Sequence, residues 1–258
     1  MPNPAHNELI VDQFTRQATP FSTAKTIADE AALRLLVELS EAGPEDTMLD
    51  VACGGGLVVC AFAQAVRHAT GIDVTPAMLE RARKLAEEKA LSNVSWDQGD
   101  VTSLPYPDSA FTIVASRFTF HHFLDPLAVL KEMVRVCAPG GRVLVCDVVT
   151  SDDGRKAAEF NRMEILRDPS HVRAMPRSEL LGLFGAAGLP EPRAKAYELR
   201  DELENLLRRS FPNPGDDVRI REIFRGSAAD DRLGIPVRLE EKRIHYAYPV
   251  LALCARCS

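Results

Sequence analysis

The chain has 258 residues, 37 acidic side chains against 31 Lys and Arg, a formal charge of −6 and a sequence pI near 5.6. That balance, with no stripe of Lys and Arg interleaved with aromatics, argues against a polyanionic partner such as RNA or DNA, and no stretch approaches the roughly 18 apolar residues that would indicate a membrane span. The length suits one large α/β domain, with or without a lid. The N-terminus lacks the basic start and apolar run of an export signal. Cysteines at 53, 60, 137, 146, 254 and 257 lie mostly in apolar stretches, as small buried thiols of a reducing compartment do. Cys254-Ala-Arg-Cys257 has no second pair, so it reads as packing and not as a metal site. A cytoplasmic protein without a metal is expected, with a second copy of itself as an admissible partner.

Ile27, Ala31, Leu35 and Leu39 share one face of a helix expected over residues 25–39, which Gly43-Pro44 ends. Next, the apolar run Met48 to Ala52 meets Gly54-Gly55-Gly56 and gives way to Leu57, Val58, Ala61, Phe62 and Ala65 at helical spacing, which reads as strand, glycine turn, helix. Glycine lets backbone come close to a ligand, and a helix start aims its free N–H groups at it. A second strand, Ala69 to Ile72, ends in Asp73, about 20 residues on, where nucleotide-binding folds place the carboxylate that accepts from ribose hydroxyls. Nicotinamide cofactors use the same layout, but two details disfavour them. Val59 stands where their fingerprint needs Gly or Ala, and Asp50, four residues before the first glycine, would repel a pyrophosphate while suiting an ammonium group.

S-adenosylmethionine carries both an ammonium group and a ribose, and here the sequence resembles the class I S-adenosylmethionine-dependent methyltransferases, whose first motif reads much like Leu49-Asp50-Val51-Ala52-Cys53-Gly54-Gly55-Gly56. The resemblance implies an α/β fold with a doubly wound, mostly parallel seven-stranded sheet and a helical lid. It places S-adenosylmethionine against Asp50, Gly54, Gly55, Gly56, Asp73 and the adjoining Val74. Thr75 and Pro76 should start the next helix, with Met78 either core or in contact with an adenine face. Gly99-Asp100-Val101 before Leu104-Pro105 resembles the family's site for the adenine amine, so Asp100 and Val101 join the cofactor set; otherwise Asp100 only caps the turn into Thr102. The fourth strand, Phe111 to Ser116, delivers Arg117, His121 and His122 to the carboxyl end of the sheet, where open α/β folds bind ligands. Arg117 is assigned to the cofactor and the two histidines to the cofactor or acceptor side, unless they are structural. In this family the N-terminal segment often covers the ligand, which singles out Phe14 and Phe21.

The turn Arg135-Val136-x-x-Pro139-Gly140-Gly141 resembles the branch of ubiquinone/menaquinone-biosynthesis C-methyltransferases. Asn161, Glu164 and Asp168 share a helical face that reads as solvated. Relatives in that branch carry a string similar to Arg167-Asp168-Pro169-Ser170-His171, which draws attention to His171. Residues 200–244 are too long for a plain loop and read as two helices, 201–210 and 216–227, forming a lid with few buried apolar contacts. His245 to Ala255 is a last strand, antiparallel beside the fifth in the resembled fold. One domain, 1–258, is expected: an N-terminal helical segment at 1–46, a cofactor core at 47–149 and lid segments at 150–176 and 200–244. The implied activity is direct methyl transfer from S-adenosylmethionine to a small quinone-, phenol- or natural-product-like acceptor, with His171 as base and His121 or His122 as orienter. A methyltransferase-like scaffold, or a catalyst of some other step on the same cofactor site, is the alternative.

Overall fold

The computed structural model describes residues 4–22, 24 and 26–257; Lys25 and the side chain of Phe21 lie outside them. Five strands, β1 (Thr47–Val51), β2 (His68–Asp73), β3 (Val94–Gln98), β4 (Phe111–Arg117) and β5 (Cys137–Val148), pair in parallel in the order β3-β2-β1-β4-β5. The order reverses beside β1, so the crevice at the carboxyl ends of β1 and β4 is a topological switch point, where such sheets bind ligands. β6 (Arg193–Glu202) lies beyond β8 (Arg243–Arg256), and β8 runs antiparallel to both β5 and β6. These make the seven expected strands. A short eighth, β7 (Val237–Glu240), hangs from β8.

The central strands read as continuous apolar runs because both faces of the sheet are covered. Adjacent residues therefore serve opposite cores. Leu49, Val114, Val143 and Val145 pack with α5 (Pro126–Val136) and α7 (Arg177–Ala186), whereas Met48, Ile113, Leu144 and Cys146 pack with α2 (Glu30–Leu39) and α3 (Leu57–Phe62). The second face also takes Leu79 of α4 (Pro76–Glu88). α2 starts five residues later than expected because Asp29 accepts from the N–H groups of Ala31 and Ala32 and fixes the cap there. α1 (Pro4–Ser22) is a full helix that the apolar pattern hides, since Gln13 and Gln17 are buried polar positions on its inner face.

α6 (Gly154–Arg167), α8 (Leu203–Ser210) and α9 (Asp216–Asp230) form the covering layer. It is packed, contrary to the reading of few buried contacts: Phe160, Met163, Leu206, Ile220, Phe224 and Leu233 are all buried in a third apolar cluster with Tyr246 and Tyr248 of β8. The apolar residues of this layer are spread over three segments, so no single segment announces a core. Nor is the face of α6 solvated, since Glu164 and Asp168 are buried. Among the described residues no helix is long and apolar enough to cross a membrane.

The glycine turn is tight for two different reasons. Gly54 and Gly55 border a cavity. Gly56, at φ +79°, faces packing: a Cβ there would lie 2.6 Å from the Trp96 ring of β3 and 2.8 Å from Ala82 of α4. Gly56→Ala should therefore destabilise the fold by about 2–4 kcal/mol, combining left-handed strain with overpacking. A denaturant midpoint equal to wild type would show that the β1–α3 corner is looser than described.

Candidate active site

The cavity at the switch point is lined by Asp50 and Ala52 at the end of β1, Gly54 and Gly55, Asp73 and Val74 after β2, and Met78 of α4. Asp100, Val101 and Arg117 complete it, with His6, Asn7, Ile10 and Phe14 of α1 over the top. All the residues assigned from sequence to the cofactor border it except Gly56.

Asp73 is locked in place. One oxygen accepts from Gly54 N–H and the other from Thr75 N–H, each at 2.8 Å. Burial pushes its pKa up against the pull of these bonds, while each oxygen keeps a lone pair for a ligand hydroxyl. The Asp50 carboxylate is buried and accepts no hydrogen bond from the described residues. Burial, then the nearby Asp73 charge, raise its pKa well above the carboxylate range, with Arg117 acting against them. A cationic ligand group would return the charge to Asp50. Arg117, also buried, donates from Nη1 to the Ile27 carbonyl at 2.9 Å, and its Nε and Nη2 have no hydrogen-bond partner among the described residues. Its guanidinium stacks 4.2 Å from the Phe118 ring, and Phe118 holds a left-handed φ of +59° at the corner after β4. Strain of that kind is tolerated only where the surroundings over-determine it.

Asp100 does cap its turn, accepting from Thr102 N–H at 2.8 Å and Thr102 Oγ1 at 2.7 Å, and it also receives Asn7 Nδ2 at 2.7 Å. Burial raises its pKa, but those donors outweigh burial and hold it low. Asp50, Asp73, Asp100 and Arg117 thus face one cavity, three carboxylates and one guanidinium.

A second chamber adjoins the first. Phe14, Ile27, Phe118 and His122 line both and so stand between the two spaces. Its other walls carry His121, His171, Phe160, Tyr246, Tyr248 and the ion pairs of the covering layer. The three histidines singled out from sequence are brought together, but in unequal states. His121, in a single 3₁₀ turn (Phe120–His122), places Nδ1 at 2.7 Å from Asp147 Oδ1, and its own N–H donates to Asp147 Oδ2 at 3.0 Å. Burial opposes a charge on the ring, yet the Asp147 carboxylate outweighs burial and raises the pKa. His122 is pushed down to about 4 by burial and by His121. His171 is depressed further, by burial and by both neighbouring rings. Sequence reasoning missed Asp147 because it lies inside an apolar strand with nothing local to mark it; the signal was an acid at a buried position on β5, near the ligand-binding edge. Arg167 is neutralised by Glu164 at 2.7 Å, and Tyr248 donates to the same carboxylate at 2.6 Å.

The comparisons agree with this geometry. The methyltransferase-domain family profile matches residues 49–145. The "uncharacterized methyltransferase YcgJ" of Bacillus subtilis is 33% identical over 196 residues, 76% of this chain and 78% of its own. The crystal structure of YcgJ superposes with a TM-score of 0.81 at 28% identity, covering 88% of this chain and 97% of that one. A ubiquinone/menaquinone biosynthesis C-methyltransferase of Bdellovibrio bacteriovorus is 34% identical over 152 residues, 57% of this chain and 63% of its own. With the family profile, a relative matched over most of both chains and the fold in agreement, the chain belongs to the S-adenosylmethionine-dependent methyltransferases.

Proposed function

We propose that the protein transfers the methyl group of S-adenosylmethionine to a small organic acceptor seated in the second chamber. The observation that supports this is the shared wall of Phe14, Ile27, Phe118 and His122: a donor held by Asp50, Asp73, Asp100 and Arg117 would lie beside it on one side, and an acceptor held beside the three histidines on the other. The cofactor supplies an electrophilic methyl on a sulfonium. The chain's own work is to hold the ribose at Asp73, the ammonium at Asp50 and the carboxylate at Arg117, to exclude water, and to take the acceptor's proton. His121 Nε2 suits that last task best: Asp147 holds the ring in one tautomer and stabilises its protonated form, an arrangement that raises basicity near neutral pH. His171, with its depressed basicity, fits a hydrogen-bond acceptor that orients the substrate, and His122 a group at the junction.

Formation of S-adenosylhomocysteine and a methylated product from labelled S-adenosylmethionine, followed by mass spectrometry over a panel of small acceptors, tests the reading. Calorimetric absence of S-adenosylmethionine binding would end it. Asp100→Ala should weaken that binding by about 1–2 kcal/mol, one hydrogen bond to a charged acceptor being lost. An affinity equal to wild type would restrict Asp100 to its capping role.

A further inference from the structure

The second chamber also defines what kind of acceptor it suits. Its three rings lie close together, with centroids 4.3 Å apart for His121 and His122, 5.3 Å for His121 and His171, and 6.2 Å for His122 and His171. Hydrogen bonds fix each tautomer. His121 Nδ1 meets the Asp147 carboxylate and His122 Nδ1 meets the Ser170 carbonyl at 3.0 Å; both partners only accept, so both Nδ1 atoms carry the proton. Asn161 donates its amide nitrogen to the carbonyls of Ala157 and Ala174, and its Oδ1 accepts from Ala174 N–H. The atom that meets His171 Nε2 at 2.8 Å is therefore an oxygen; Ala174 N–H also approaches Nε2, at 3.3 Å, but it is already donated to Asn161 Oδ1 at 2.7 Å, so the ring is protonated on Nε2 and its Nδ1 is a buried lone pair with no hydrogen-bond partner among the described residues. When neutral, the rings keep three lone pairs, on His121 Nε2, His122 Nε2 and His171 Nδ1, and none of them receives a hydrogen bond from the described residues.

The charges in the same chamber are spent. Glu164 takes Arg167 and the Tyr248 hydroxyl, Arg209 is paired with Asp201 at 2.6 Å, and Asp168 receives Gln17 and Ser170. The wall has Glu164, Asp168 and Asp201 against Arg167 and Arg209, with Asp147 behind His121, so acids outnumber cations even with His121 protonated and neither arginine is left over for an anionic substrate.

We propose that the acceptor is a small organic amine, methylated on nitrogen. This rests on the methyl-transfer reading above and specifies the substrate class for that site. An amine or its ammonium form brings two or three N–H donors to the three lone pairs, whereas a phenol brings one and a carbon nucleophile none. Buried acceptors left unsatisfied cost binding. The acidic surplus and the rings of Phe14, Phe118, Phe160, Tyr246 and Tyr248 suit a cationic head on an apolar body. A carboxylate or phosphate would instead face ring lone pairs and a surplus of acids. In the step itself, an ammonium first gives one proton to His121 Nε2. The freed nitrogen lone pair then forms the N–C bond while the C–S bond breaks and its electron pair stays on sulfur. The positive charge of the sulfonium passes to the methylated nitrogen, and His121 returns its proton to solvent.

The test uses the full-length chain loaded with S-adenosylhomocysteine. Aryl-alkyl amines of graded size are titrated beside the alcohol, phenol and carboxylate of matching skeleton, and methyl transfer is followed with the same sets. The amines are expected to bind at least about tenfold more tightly than their isosteres, to become N-methylated, and to lose about tenfold in affinity in His171→Leu while S-adenosylhomocysteine affinity is kept, the size of one hydrogen bond to a buried lone pair. Methyl groups recovered on oxygen or carbon, isosteres binding as well as the amines, or loaded protein that takes none of the amines would overturn the amine assignment and leave methyl transfer standing. Failure to load with S-adenosylhomocysteine would instead overturn the methyl-transfer reading itself.

Discussion

His121→Ala is expected to lower turnover by roughly 10²- to 10⁴-fold, the usual cost of losing a general base, with S-adenosylmethionine affinity nearly unchanged because the ring lines the second chamber and not the first. Asp147→Asn separates the base from its support. In wild type the carboxylate raises the ring's pKa above its ordinary value near 6.5, so the rate should climb as pH rises through that raised value and the ring loses its proton. Without the Asp147 charge, burial prevails and the pKa falls. The rising limb should then move to lower pH while the plateau rate drops, because a weaker base takes the proton less readily. His122, held at about 4, is already neutral across that range and should contribute no limb. A profile with no rising limb above pH 5 in wild type, or the same profile in Asp147→Asn, would remove His121 from the role.

Asp73→Ala should weaken S-adenosylmethionine by about 2–4 kcal/mol, roughly 30- to 1000-fold. Two hydrogen bonds from ribose hydroxyls to a charged acceptor are worth about 1.5–3 kcal/mol each, and water compensates in part. The same carboxylate pins Gly54 and Thr75, so the substitution also loosens the glycine turn and the effect should sit toward the upper end. Asp73→Asn retains one carbonyl oxygen and should fall between the two. Calorimetric affinity within twofold of wild type for Asp73→Ala would place the ribose elsewhere.

The parallel core and its ligand edge were legible because their signals are local. A run such as Val143 to Cys146 is apolar without alternation only if both faces are buried, and Gly54-Gly55 and Asp73 sit at the fixed spacing that a strand-turn-helix-strand path imposes. Cover and chemistry were harder. α1 turns Gln13 and Gln17 inward, so its buried face lacks an apolar period. The third core is assembled from Phe160, Leu206, Phe224 and Tyr248, residues that no short window unites. His121 and Asp147 are 26 positions apart and meet only because β4 and β5 pair in register, Arg117 beside Cys146. His171 stands out by a string resemblance, but the role proposed for it depends on Asn161, whose amide oxygen takes one ring nitrogen.

A crystal structure of the protein grown with S-adenosylhomocysteine tests the central claim most directly. The account predicts density with ribose hydroxyls on Asp73, the amino group at Asp50, the carboxylate at Arg117 and the sulfur turned toward the wall of Phe118 and His122 that both chambers share. Adenosine bound away from Asp73, or a sulfur facing bulk solvent with the second chamber closed off behind it, would contradict the account.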